Sequence, residues 1–180
     1  MQSAAPRARR SSCRAGLIET LVDLAVGGLD LRGGESVLDA YCGVGLFSRF
    51  IAPVAGRVVG IESSPSAVAD ARVNLAPFSH VELHEGLVED VLPGLPGDLD
   101  AAIVDPPRAG CGPKVIQAII DKHVKRLVYV SCDPATLARD ARQLIDGGYR
   151  LIEVQPVDLF PHTYHIESVS SFSRSGQTTL

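Results

Sequence analysis

The chain has 180 residues, 46% hydrophobic and 21% charged, the length and composition of one globular domain with its own core. Seventeen Lys and Arg stand against 21 Asp and Glu, a net charge of −4, so bulk charge does not announce a nucleic-acid-coating surface. The four cysteines (Cys13, Cys42, Cys111, Cys132) form no C-x-x-C pair, which speaks against a zinc ribbon, an iron–sulfur cluster or a disulfide scaffold and for a reduced, cytoplasmic setting.

Residues 1–15 read as a basic flexible tail, with Arg7, Arg9, Arg10 and Arg14, no acid and no apolar run for a secretory signal. No stretch approaches the roughly 18–20 apolar residues of a membrane span, so no membrane partner is expected. The domain is expected over 16–175, with a second tail at 176–180. Leu17, Ile18, Leu21, Leu24 and Ala25 form a helical stripe that stops at Gly27-Gly28. A strand begins at Val37-Leu38 and a helix at Phe47–Ile51. Arg57–Ile61 reads as the second strand, and Ser64-Pro65 as the cap and first residue of a helix to about Ala76. Val81–His84 and Asp100–Val104 are the third and fourth strands. Val115–Ile120 lies on a helix, Arg126–Val130 is the most hydrophobic strand, and Pro134–Ile145 is a helix ending at Gly147-Gly148. Residues 150–155 and 168–173 form two strands with no helix between them, an antiparallel pair. The fold class is α/β: a doubly wound, mostly parallel seven-stranded, Rossmann-like sheet with an antiparallel last strand.

In such sheets ligands bind beyond the carboxyl ends of the strands, and the unusual segments stand there. The first strand runs into Asp39-Ala40-Tyr41-Cys42-Gly43-Val44-Gly45, where Gly43 and Gly45 allow close backbone approach, and Glu62 ends the second strand where a carboxylate can accept ribose hydroxyls. A dinucleotide site shares these features but wants G-x-G-x-x-G/A, and the third position is Ser48; Asp39 also sits poorly beside a pyrophosphate and suits the cationic S-adenosylmethionine. The glycines are also compatible with a simple tight turn.

Asp105-Pro106-Pro107-Arg108 follows the fourth strand; the prolines stiffen the loop and aim Asp105 out of the sheet, where it can hold an N–H of a flat base, or simply cap a turn with Arg108 on the surface. Cys132, between the fifth strand and a helix N-terminus, occupies a position that favours the thiolate. Cys42 reads as packing filler and Cys111 as a neutral loop residue. In the last hairpin loop, His162, His165 and Glu167 could form a metal site, although extended alternation would spread them; otherwise Glu167 is a general base and the histidines contact substrate or solvent.

The segments VLDAYCGVGLFS (37–48), VVGIE (58–62), ADAR with Asn74 (69–74), VDPPRAG (104–110), YVSCDPATLARD (129–140) and DLFPHTYHIE (158–167) together resemble the RNA uracil-C5 methyltransferases dependent on S-adenosylmethionine. The resemblance implies a catalytic domain in which Tyr41, Gly43, Gly45 and Glu62 contact the cofactor with Asp39 nearby. Asp105 would lie between cofactor and base, Cys132 would be the nucleophile and Glu167 the base, with Arg108 and His165 toward the substrate. It implies no metal and no iron–sulfur cluster. The partner would be ribosomal or transfer RNA, not DNA, captured largely by N-terminal domains that family members carry and this sequence lacks. The basic groups left here are the Arg-rich start, Arg108 and the Lys122–Arg126 segment. Methyl transfer to another nucleobase atom, or a cofactor-binding module that relies on a partner chain, remain the alternatives.

Overall fold

A computed structural model describes residues 9–158 and 166–174. Seven strands, β1 (Ser36–Ala40), β2 (Arg57–Glu62), β3 (Val81–Glu85), β4 (Ala101–Val104), β5 (Arg126–Ser131), β6 (Tyr149–Val157) and β7 (Glu167–Arg174), form one sheet in the order β3-β2-β1-β4-β5-β7-β6. The first five run parallel, and β7 is inserted antiparallel between β5 and β6. The sheet therefore matches the fold class read from the sequence, and the hairpin is antiparallel as expected.

Alternation along the central strands divides the core in two, since successive side chains point to opposite faces. Leu38, Ala40, Val59, Ile61, Ala102, Val104, Leu127 and Tyr129 face one layer, built from α4 (Val88–Val91), a 3-10 turn (Leu92–Gly94), α5 (Gly112–Asp121) and α6 (Pro134–Asp146). Val37, Val58, Ala101, Ile103, Val128 and Val130 face the other, which holds α1 (Arg9–Gly28) and α2 (Leu46–Ile51). The near-continuous apolar runs of β1, β4 and β5 follow from this double burial. The sixth helix, α3 (Pro65–Leu75), starts as the sequence indicates: Ser64 caps it by accepting the Ala67 N–H, and Pro65 fills the first helical position.

Two boundaries differ from the sequence reading. Helix α1 begins at Arg9, inside the stretch read as tail. Residues 9–15 lack the apolar period that marks a packed helix, but Arg and Ala are good helix formers and the stretch contains neither Gly nor Pro. The short α4 and its 3-10 extension also escape the periodicity test, being too brief to show a period. Among the described residues no helix is long and apolar enough to cross a membrane.

Ile103 is fully buried on the α1–α2 side of the central strand β4. Ile103→Ala is expected to cost about 3 kcal/mol, through lost transfer energy and the cavity left behind, read as a lower denaturation midpoint at unchanged denaturant dependence.

Candidate active site

The carboxyl ends of β1, β2, β4 and β5 lie in register, Ile61 and Val104 flanking Ala40 and Tyr129 flanking Val104, so the loops that follow them open on one edge. After β1 the backbone takes the left-handed region at alternate residues, Tyr41 (φ 63°), Gly43 (φ 54°) and Gly45 (φ 84°). Glycine enters that region without a Cβ penalty. At Gly45 a Cβ would also lie 2.8 Å from Leu75 on α3.

Glu62 fastens this loop. Its two carboxylate oxygens accept the Gly43 N–H (3.1 Å) and the Ser64 N–H (2.7 Å), so one side chain joins the glycine loop to the start of α3. A carboxylate has about four acceptor sites, which leaves capacity for ribose hydroxyls. Asn74 adds a second clamp by donating to the Val44 carbonyl at 2.9 Å.

Asp39 is fully buried. One oxygen accepts both the backbone N–H (2.9 Å) and the hydroxyl (2.6 Å) of Ser48, while the other has no protein partner. Burial pushes its carboxyl up to about 6 against the opposing effect of Ser48, with Glu62 adding a smaller like-charge push. A buried acceptor that lacks a donor is costly. Such a setting suits a ligand that brings positive charge and N–H donors and disfavours a pyrophosphate, so the residues fit the donor expected from the sequence better than a dinucleotide.

Asp105 follows β4, its N–H reaching the Ala40 carbonyl at 3.3 Å. The residue as a whole is exposed at the rim, yet its carboxyl is hemmed in by the converging loops. That desolvation, then the negative charges of Glu167 and Asp39, push it up to about 7. After the adjoining strand, the half-buried Cys132 stands between β5 and α6. Asp133 beside it caps α6, accepting the N–H groups of Ala135 and Thr136 at 2.9 Å each. Those bonds, Thr136 foremost, hold its carboxyl below the usual range, and the charge of Arg108 contributes from the facing loop.

The β5–β7 register runs from Arg126↔Ser173 to Ser131↔Ser168, and the Ser168 hydroxyl donates to the Ser131 carbonyl at 3.3 Å. Cys132 directly follows the last paired residue of β5, and Glu167 directly precedes Ser168 on β7, so the ladder ends beside both. Asp105 is close enough for the Glu167 charge to act on it.

Some expectations change. Tyr41 is half-buried, its side chain packed against the core cluster below the strand ends. Cys111 is no neutral loop residue: it is buried beside Tyr129 and Asp140, because the loop after β4 folds back onto α6. The Lys122–Arg126 cations lie at the opposite ends of the strands and are engaged: Lys122 with the Leu95 carbonyl, Lys125 with Asp100 (2.8 Å) and Arg126 with Asp30 and Glu35. His162 and His165 fall outside the described residues, and no trio of metal-binding side chains occurs among those described. The sequence reading also missed Ser48 as the partner of Asp39, and Asp140. For Asp140 a signal existed: an acid inside the apolar stripe Leu137, Ala141, Leu144.

Comparison with known proteins agrees with this geometry. Residues 37–127 match the family model described as a methyltransferase domain, and residues 98–174 match the tRNA (uracil-5-)-methyltransferase model. An uncharacterized RNA methyltransferase of Gloeobacter violaceus is 46% identical over 159 residues, covering 87% of this chain and 34% of that protein. One of Streptomyces coelicolor is 47% identical over 156 residues, covering 84% and 34%. The crystal structure of the Pyrococcus abyssi tRNA (uracil-54, C5)-methyltransferase in complex with S-adenosyl-L-homocysteine superposes with a TM-score of 0.70 at 31% identity, over 88% of this chain and 38% of that one. The precorrin-6y C5,15-methyltransferase of Geobacter metallireducens, at 19% identity and a TM-score of 0.72, shares the fold.

Fold and strand-end loops define a class I methyltransferase. The chain belongs to the methyltransferase-domain family, and residues 98–174 match the tRNA (uracil-5-)-methyltransferase model as well. It spans about a third of the length of the curated relatives it matches.

Because the folded protein binds the Asp105 proton more tightly than the unfolded chain, whose carboxyl titrates near its ordinary 3.8, stability from this group is full below about pH 4 and is lost as pH rises toward 7. Asp105→Asn removes that loss. The melting temperature of the variant relative to the parent is therefore expected to rise between pH 4 and pH 7 and level off above, as read by thermal denaturation across that range.

Proposed function

We propose that this chain is the methyl-transfer domain of an S-adenosylmethionine-dependent enzyme that methylates C5 of a uridine in RNA. The observation that supports the reading is the β5–β7 ladder, whose last pair, Ser131↔Ser168, is flanked in sequence by Cys132 and Glu167 at the edge that also bears the glycine loop and Asp105. The match to the uracil-5 methyltransferase model over 98–174 supports it.

S-adenosylmethionine, when bound, supplies an electrophilic methyl group and a positive charge. Glu62 would accept its ribose hydroxyls, the backbone of Tyr41, Gly43 and Gly45 would line its path, and Asp39 would provide the buried negative charge. Uracil C5 is too weak a nucleophile to take a methyl group unaided, so the Cys132 thiolate adds to C6 and the ring electrons move toward C5. Once C5 carries both methyl and proton, the Glu167 carboxylate removes the proton, the C5=C6 bond re-forms and Cys132 leaves as thiolate. Asp105, raised toward neutrality, would hold the base, with Arg108 and His165 toward the polynucleotide. A uridine stacked in a helix must be extruded to reach this edge, which favours loops of structured RNA. The engagement of Lys122, Lys125 and Arg126 by protein acceptors supports RNA capture through the parts of the relatives outside the match.

The test uses transcripts of tRNA and ribosomal RNA containing 5-fluorouridine, together with S-adenosylmethionine. Fluorine cannot leave as a proton, so the protein is expected to form an adduct stable to SDS, and Cys132→Ala to form none. Equal adduct from both proteins would sink the nucleophile assignment. On ordinary RNA, Glu167→Gln is expected to accumulate adduct and turn over at least about 100-fold more slowly. Methyl appearing on a different nucleobase atom would replace this reading with that activity.

A further inference from the structure

Asp140 is a fully buried acid on the apolar face of α6, outside the reacting set. One oxygen accepts the Cys111 N–H and the Tyr129 hydroxyl, each at 2.8 Å. The other takes both Nε (2.9 Å) and Nη2 (2.8 Å) of Arg139, and the same Nη2 donates to the Ala109 carbonyl at 2.8 Å. The Ala109 carbonyl and the Cys111 N–H of the loop after β4 are thereby bonded to the ion-paired neighbours Arg139 and Asp140 on the helix that Cys132 precedes. Gly110 lies between them in the left-handed region (φ 79°), and a Cβ there would come within 2.5 Å of the Asp140 carboxylate. The loop can approach this closely only as glycine. No other charged group of α6 reaches into the core so completely: Arg142 and Asp146 pair with each other on the exposed face.

We infer that Asp140 is a positioning residue that pins the Asp105–Cys111 loop to α6 and so fixes Asp105, and with it the target base, relative to Cys132. The inference rests on the proposed reaction for its catalytic consequence, while the pin itself can be tested without RNA. The rigid prolines give the loop its shape; Asp140 decides where that shape is anchored. Asn at this position keeps the size but only one acceptor oxygen, so its NH2 group must face donors, either Arg139 or the Cys111 N–H and Tyr129 hydroxyl.

The experiment compares the parent with Asp140→Asn and Tyr129→Phe, the second removing one of the two bonds to the same oxygen. Three readouts are taken: amide exchange at Cys111, affinity for S-adenosylmethionine, and the rate of adduct formation with 5-fluorouridine-containing tRNA and ribosomal RNA. Asp140→Asn is expected to speed Cys111 exchange and to slow adduct formation at least 10-fold, with donor affinity within about twofold of the parent, because Asp39 and Glu62 lie on the other side of the edge. Tyr129→Phe should slow adduct formation about threefold in the same pattern. Unchanged exchange and an adduct rate within twofold in both variants would overturn the inference. So would a fall in donor affinity and melting temperature that parallels the adduct rate, which marks general destabilisation. If Asp140→Asn does not fold, Tyr129→Phe alone decides by the same two criteria. A parent protein that binds both the RNA and S-adenosylmethionine yet forms no adduct refutes the reaction proposed above and removes the catalytic role of Asp140, whereas Cys111 exchange still reports whether the pin exists.

Discussion

Six consecutive backbone pairs, from Arg126↔Ser173 to Ser131↔Ser168, lock β7 against β5, and in an antiparallel ladder the numbers of paired residues keep a constant sum, so one correct pair fixes all the others. A slip of a single residue would send Val169 and Phe172 to the wrong faces, away from the two cores that now bury them. Hydrophobic burial at the middle of the strand therefore sets which residue stands at its end. That Cys132 and Glu167 flank the last pair of the ladder in sequence is a consequence of that packing.

The same economy governs the charges. Acids gather at one edge: burial, with a smaller push from Glu62, raises Asp39 to about 6, and burial with the charges of Glu167 and Asp39 raises Asp105 to about 7. A fold dominated by stability would avoid this arrangement. Asp140, as deeply buried as Asp39, is different: all its acceptor capacity is taken by Cys111, Tyr129 and Arg139. One buried acid is left with an empty acceptor and the other is saturated. That contrast separates a group suited to a ligand from one that braces the scaffold, and it follows from hydrogen-bond accounting alone.

Amphipathic spacing gave good positions for long elements such as α5, whose Val115, Ile116 and Ile119 turn inward, and failed for α4, whose four residues are too few to carry a period. Glycines and prolines at strand ends marked the loops at 41–45, 105–110 and 131–134, because such residues are tolerated there for specific backbone reasons. Partners distant in sequence were not legible. Ser48 looked like a defect in a glycine pattern and is the support of Asp39; Cys111 looked inert and is one of the points where a loop meets its anchor. The basic Lys122–Arg126 segment looked available, but Asp100, Glu35 and the Leu95 carbonyl, all remote in sequence, engage it.

By itself, then, the sequence determined the alternation of strands and helices, the strand-end edge where the unusual loops gather and the residue types found there, since these depend on periodicity and local backbone preference. Only the tertiary structure decided which of those residues meet. Strand order, the placing of β7 between β5 and β6 and the anchoring of the Asp105 loop on Asp140 all arise from contacts between segments far apart in the chain, selected by how two apolar faces close over one sheet.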